Sequence, residues 1–169
     1  MRISATIFSL ACALGLANAA AISNPFQFNI PPATVEECPT TEPTLPLLKL
    51  GPVDINPNPP QKGHQLTIKG SGTLAEDIVE GAVIDVTVKA GLIKLLTKKF
   101  QFCEESVKVN KPCPVTAGEQ TLETTVDLPK EIPPGRYTAF IKVTNPAPAE
   151  GETGKLVTCL IAKAQFGIK

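Results

Sequence analysis

The side chains of this 169-residue chain best suited to chemistry are His64, Ser71, three carboxylate pairs (Glu36-Glu37, Glu76-Asp77, Glu104-Glu105) and the cysteines Cys38, Cys103, Cys113 and Cys159. Catalysis needs groups that hold or move charge and stand together. His64 is the only histidine and sits in Gln61-Lys62-Gly63-His64, which reads as an exposed turn at a strand entrance. Ser71 lies between Gly70 and Gly72, but the surrounding residues do not make a GxSxG elbow, and two glycines near a strand end read as a turn. Their spacing also fails the dinucleotide and phosphate-loop fingerprints. Neighbours on a strand point to opposite faces, so the carboxylate pairs cannot flank one bond, and on loops they are solvated charge. A zinc site would need a compact cluster with CxxC or histidine spacing, and none is present. The reading is of a chain that is not an enzyme and needs neither metal nor cofactor.

The cysteines read better as a framework. Arg2, the apolar residues 3–16 and Ala17-Asn18-Ala19 make a signal segment, expected as residues 1–19. That stretch is too short to span a bilayer, and nothing later approaches ~18 uninterrupted apolar residues. Cys12 would leave with the signal, and four cysteines in an oxidising compartment imply two disulfides with three possible connectivities. The favoured pairing is Cys103–Cys113, a local clip, with Cys38–Cys159 tying the domain ends. By loop entropy the long link would contribute ~5 kcal/mol and the short one a little under ~3 kcal/mol. The expected compartment is the secretory pathway, ending outside the cell or in a vacuole- or lysosome-like lumen. No Asn-x-Ser/Thr acceptor gives a clue to routing. With 16 basic and 16 acidic residues, the chain lacks the positive excess that a nucleic-acid partner requires.

The positioning elements follow from pattern. Prolines crowd residues 24–46 and remove backbone donors, so this stretch is not expected to form a central strand. Residues 20–37 are taken as a Pro-rich arm or propeptide and 38–169 as one domain, expected to be monomeric. Residues 47–55 form an apolar run halted by Asn56-Pro57-Asn58-Pro59-Pro60. Alternation follows at 65–69, 122–128, 137–143 and, most clearly, 82–89, where Ala82, Ile84, Val86 and Val88 face one way while Asp85, Thr87 and Lys89 face the other. Residues 156–166 make a last strand, whereas 74–80 is strand or irregular. Such period-2 runs broken by Gly and Pro predict an all-β, immunoglobulin-like antiparallel sandwich. A true immunoglobulin domain would bring a core Trp, and this chain has none.

What remains is an apolar interior and its rim. Lys94, Lys98 and Lys99 are interleaved with Leu95, Leu96 and Phe100 just before Cys103, and Lys130 and Ile132 share another loop. Lysines beside apolar side chains suit an entrance that meets anionic lipid head groups. The plainer reading is that the lysines solubilise a strand whose apolar residues are core.

An ordered set of marks resembles a known family. They are Asn58-Pro59-Pro60-Gln61-Lys62-Gly63, Ile68-Lys69-Gly70-Ser71-Gly72-Thr73-Leu74, Gly81-Ala82, Phe102-Cys103, Cys113-Pro114-Val115, Leu128-Pro129, Ile132-Pro133-Pro134-Gly135-Arg136-Tyr137 and Thr158-Cys159-Leu160. Together they resemble the MD-2-related lipid-recognition (ML) domain, nearest its fungal phosphatidylglycerol/phosphatidylinositol transfer branch, with the Niemann–Pick C2 sterol carriers as relatives. The resemblance implies two splayed sheets with a lipid cavity between them, and it supports Cys38–Cys159 and Cys103–Cys113. It implies a phospholipid cargo, with a sterol as the alternative, and transient contact with a membrane surface. Leu95, Leu96, Phe100, Ile132, Tyr137, Ile84, Val86 and Ile141 would contact lipid, and Lys94, Lys98, Lys99 and Lys130 would meet its head group. A secreted recognition module with a solid core is the competing reading. The third disulfide usual in animal relatives has no cysteines here, which weakens any transfer of their sterol preference.

Overall fold

The computed structural model describes residues 29–39 and 45–167; the expected signal and most of the proline-rich arm lie outside them. The strands are β1 (Thr34–Glu37), β2 (Leu48–Asn56), β3 (Gln65–Leu74), β4 (Val83–Ala90), β5 (Ile93–Gln101), β6 (Gly118–Asp127), β7 (Gly135–Thr144) and β8 (Leu156–Phe166). One helix, α1 (Phe102–Val107), joins β5 to β6. The strands form two sheets, ordered β1-β8-β7-β4-β5 and β2-β3-β6, and every pairing is antiparallel. This is the sandwich that the alternation predicts.

Register explains which side chains face inward. Ile84, Val86 and Val88 of β4 lie opposite Val143, Ile141 and Ala139 of β7, and opposite Phe100, Lys98 and Leu96 of β5. Directly opposed residues share a face, so these rows look toward the second sheet. The outer rows are polar: Lys99 Nζ lies 3.4 Å from Asp85 Oδ1, and the Thr87 and Thr97 hydroxyls are 3.4 Å apart. On β3 the inward row is Leu66, Ile68, Gly70, Gly72 and Leu74. Gly70 and Gly72 are therefore mid-strand rather than a turn. A Cβ on Gly72 would lie 2.8 Å from the Lys49 carbonyl oxygen, whereas one on Gly70 would meet only a Val53 methyl at 3.9 Å. Gly72 permits close backbone approach; Gly70 leaves space.

The sandwich is closed along one side and open along the other. On the closed side β2 approaches β1 and β8. There the Leu50 amide donates to Glu37 Oε1 at 2.7 Å and the Leu47 amide to the Leu156 carbonyl at 3.0 Å. Cys38 and Cys159 are bonded beside this seam, with Cα atoms 5.3 Å apart. The 34–37 segment, read from sequence as part of an arm, is an edge strand: its prolines lie outside it, so its backbone is free to pair with β8.

On the open side β5 and β6 are the free edges of their sheets. The chain crosses between them through α1, clipped by Cys103–Cys113 with Cα atoms 5.4 Å apart. Six residues are too few to show a helical period, which is why the pattern did not reveal α1. Glu104 and Glu105 favour its positive N-terminal end. The buried core lies at this end of the molecule, where Leu74, Ile78, Ala82, Val115, Val143 and Val157 pack with Leu47, Leu48, Ile84 and Phe102 around them.

Candidate ligand cavity

A hollow of about 550 Å³ penetrates the sandwich beneath α1. Ile84, Val143, Val157 and Thr158 form its wall on the five-stranded sheet. Leu48, Leu74, Leu122 and Thr124 form the opposite wall, while Phe102, Val109 and Val115 close the end. Most of these side chains are aliphatic, so water inside gains few hydrogen bonds and an apolar guest loses none. At ~30 Å³ per water- or methylene-sized group, the hollow holds roughly 18 such groups. That is about one acyl chain.

The inward row of β6 shows that the gap extends beyond the hollow. Leu122 and Val126 face the other sheet yet remain 43% and 42% exposed, because the β5 and β6 edges do not meet over them. Leu96, on the inward row of β5, is similarly uncovered.

The charged side chains of the lining, Glu105, Lys108 and Lys111, belong to α1 and the loop after it, while the walls mix aliphatic residues with Thr121, Thr124, Thr125 and Thr158. At the mouth, Lys108 Nζ is held by Glu105 at 2.7 and 2.8 Å. Lys111 Nζ reaches only a neutral partner, Gln120 Oε1, at 3.4 Å, and Gln120 Nε2 donates to the Thr116 carbonyl. Among the described residues Lys111 therefore keeps its charge unpaired at the cavity edge. In the wall toward the closed side, Thr158 is only 5% exposed and its Oγ1 has no hydrogen-bond partner. Ser106, equally buried, donates to the Cys103 carbonyl at 3.1 Å and so tightens α1.

The residues singled out by sequence occupy several places. Ile84 lines the hollow. Val86, Ile141 and Phe100 continue or flank the same inward row. Tyr137, farther along, donates its hydroxyl to the Pro133 carbonyl at 2.9 Å and meets the Phe166 ring edge-on at 5.6 Å. Lys94, Leu95 and Leu96 belong to the β4–β5 hairpin end, opposite α1, and the loop carrying Lys130 and Ile132 lies at that same end. Lys98 is on the inward row and Lys99 on the outer one. The Lys130 stem lies against Gly63. None of Lys94, Lys98, Lys99 and Lys130 lines the hollow, whose neighbouring lysines are Lys108 and Lys111.

Two features escaped the sequence reading. Lys108 and Lys111 sit in a segment with no legible period. Thr158 was legible: Cys159 points outward to Cys38, so its strand neighbour must point in.

A second hollow, about 580 Å³, is bordered by Lys142, Thr144 and the Glu76–Lys155 ion pair at 2.7 Å. Leu45, Leu47 and Leu156 line it as well, so this groove is of mixed polarity, with charged groups along its border. The described residues contain no cluster of three or more His, Cys, Asp or Glu side chains able to hold a metal. None of their helices is long and apolar enough to cross a membrane.

Comparison with known proteins adds three findings. A family model described as the ML domain matches residues 33–166. A phosphatidylglycerol/phosphatidylinositol transfer protein of Pyricularia oryzae is 42% identical over 120 residues, 71% of this chain and 64% of that protein. One of Aspergillus oryzae is 43% identical over 121 residues, 72% of this chain and 66% of that protein. The alignments thus span slightly less than two thirds of these relatives' own lengths. Among solved structures, chicken MD-1 complexed with lipid IVa superposes with a TM-score of 0.56 at 19% identity, covering 80% of this chain and 90% of that one. A Niemann-Pick type C2 protein from Japanese carpenter ant gives 0.52 at 14% identity, covering 78% and 98%. Both share the sandwich fold.

Proposed function

The chain belongs to the ML-domain family, and from that premise we propose that it carries a phospholipid of the phosphatidylglycerol or phosphatidylinositol class between membranes without covalent chemistry. The observation that carries the reading is the aliphatic hollow under α1 with an unpaired lysine at its edge. The transfer proteins of Pyricularia and Aspergillus support the cargo class by their names.

The energetics are those of desorption. A phospholipid's two chains expose ~30 methylenes, at ~0.8 kcal/mol each on leaving hydrocarbon for water, a barrier of order 20 kcal/mol. A carrier lowers it by offering a dry slot of comparable free energy. The hollow takes one chain. The second lies along the open side, against the inward faces of Leu122, Val126 and Leu96, with Val86, Phe100 and Ile141 behind. The phosphate rests at Lys111, and Lys98, the one cation on the inward row of β5, offers a second contact farther along the same opening. Lys94, Lys99 and Lys130 with Leu95, Ile132 and Tyr137 belong to the far end and act there as membrane-facing groups. The two disulfides suit an extracellular or lumenal site of action. The protein acts as a monomer that touches membranes transiently.

The size of the hollow also favours a compact single-bodied cargo such as a sterol, and one experiment separates the two. Native mass spectrometry and solvent extraction of the purified protein identify what it holds. Labelled-lipid transfer between liposomes then measures what it moves. Co-purified phospholipid and transfer of phosphatidylglycerol or phosphatidylinositol support the proposal. Sterol alone, or an empty protein that moves no lipid, overturns it.

A further inference from the structure

At the tip of the β4–β5 hairpin, large apolar side chains stand in the open. Leu92 is fully exposed, and Ile93 and Leu95 are 68% and 54% exposed. Gly91, in the left-handed region at φ +55°, makes the turn that projects them. Nothing within the described residues covers them, and each would be costly in water unless it found apolar surroundings. Around this tip the charge is one-sided. Between Val83 and Gln101 the hairpin carries Lys89, Lys94, Lys98 and Lys99 against the single acid Asp85, in a chain whose totals balance at 16 and 16. Asp85 is engaged with Lys99, and Lys89 lies over the Phe140 ring at 4.9 Å. Lys94 and Lys98 have no carboxylate partner among the described residues.

We propose that residues 91–95 form a membrane-docking finger, with Leu92 and Ile93 entering the acyl boundary of an anionic bilayer and Lys94 resting among its phosphates. An apolar tip flanked by flexible cations matches the layering of a bilayer surface, apolar below and anionic above. A second protein chain would have to supply both an apolar pocket and a ring of acids, whereas any anionic membrane supplies both at once. The finger is at the far end of the sandwich from α1, yet β5 runs from it along the open side toward α1. Docking by the tip therefore brings the near end of the opening between β5 and β6 to the membrane surface, with cargo able to slide out along β5. This rests on the carrier reading and deepens it by assigning its membrane contact to a single element.

The test is sedimentation of the full chain with phosphatidylcholine vesicles made with and without phosphatidylglycerol, at low and high salt, beside native mass spectrometry of the same preparations. The unaltered protein should bind the anionic vesicles and release as salt rises. Leu92→Ser/Ile93→Ser should weaken that binding by about tenfold, with co-purified lipid unchanged, and Lys94→Gln should weaken it about fivefold. Equal binding to neutral and anionic vesicles overturns the proposal, as does a Leu92→Ser/Ile93→Ser protein that binds like the original. Dimerisation in sedimentation equilibrium that this double substitution abolishes would also overturn it, because the tip would then be a self-association face. Failure of the carrier reading shows separately, as an empty protein that still binds vesicles through its tip.

Discussion

Ile78 and Val115 exchange both backbone hydrogen bonds, N to O at 2.9 Å and 3.0 Å, and both side chains line the hollow. This isolated bridge joins the β3–β4 connection to the segment just after Cys113, fixing the end wall beneath α1. Ile78→Ala should cost ~2–5 kcal/mol, through lost burial and the void it leaves, and Ile78→Val only ~0.5–1.5 kcal/mol. Urea unfolding of the two variants checks the gradient. Equal and small losses would mean that the end wall collapses freely and does not define the cavity.

Gly70 offers the converse change. It lies on the inward row of β3, and a Cβ added there would meet only a Val53 methyl at 3.9 Å, which leaves room for a side chain between the sheets. Gly70→Leu should place apolar bulk opposite Leu122 and reduce the lipid retained per protein severalfold, while the melting temperature stays level or rises, since strand glycine is entropically costly. Native mass spectrometry and a thermal melt report the two effects independently. A fully loaded variant would show that cargo does not pass this part of the slot.

How much could be read beforehand depended on the length of each signal. The alternation at Ile84, Val86 and Val88 spans enough residues to mark a strand and split its two faces, and with the other runs it pointed to the sandwich, whereas the pairing of β4 with β5 and β7 came only with the structure. The cysteines gave the staples because few pairings suit two local and two terminal residues. Lys108 and Lys111 were missed because their placement comes from a six-residue helix and a disulfide-clipped loop, whose geometry is set by tertiary contacts rather than by period. Lys94 and Lys99 illustrate the opposite problem. Their neighbours in sequence are apolar, but a one-residue step changes the face, and the bulge between Val88 and Lys89 shifts the register near the tip.

The Cys103–Cys113 clip should matter more for cargo than for folding. Closing a ten-residue separation contributes a little under ~3 kcal/mol by loop entropy, and the other link encloses 121 residues. Cys103→Ala/Cys113→Ala should therefore leave the sandwich folded, loosen α1 and hasten lipid loss. Hydrogen exchange over 102–113, with lipid off-rates measured in parallel, tests this. Unchanged exchange there would remove α1 as a cover.

The Glu36–Lys163 contact, Nζ to Oε2 at 3.0 Å, secures β1 to β8. The hydrogen bond from Lys163 and then its charge hold the Glu36 carboxyl below its ordinary value. A carboxylate whose folded pKa is depressed contributes stability above its unfolded pKa and loses it as pH falls through the folded one. Acidification from neutral to below the ordinary carboxylate range should thus free β1 first. Both partners are exposed, so the effect is local and small. Amide exchange at 34–37 should rise with acid, and Glu36→Gln should remove the pH dependence. If that substitution leaves the acid response intact, the cause lies elsewhere.

Thr158 carries the sharpest chemical question in the cavity wall. Its hydroxyl is buried without a partner, a condition worth ~1–3 kcal/mol of lost hydration. Valine has nearly the same shape and removes the polar atom, so Thr158→Val should stabilise the delipidated protein by about 1 kcal/mol. Thr158→Ser keeps the hydroxyl and opens a methyl-sized void, so it should destabilise. The same logic applies to cargo: an alkyl terminus against this wall leaves the hydroxyl unpaired, and Thr158→Val should hold such a chain more tightly. Denaturant midpoints with and without lipid separate the two effects. If Thr158→Val loses more than about 1 kcal/mol, the hydroxyl is already satisfied within the fold and the wall is less apolar than its neighbours Val143 and Val157 make it.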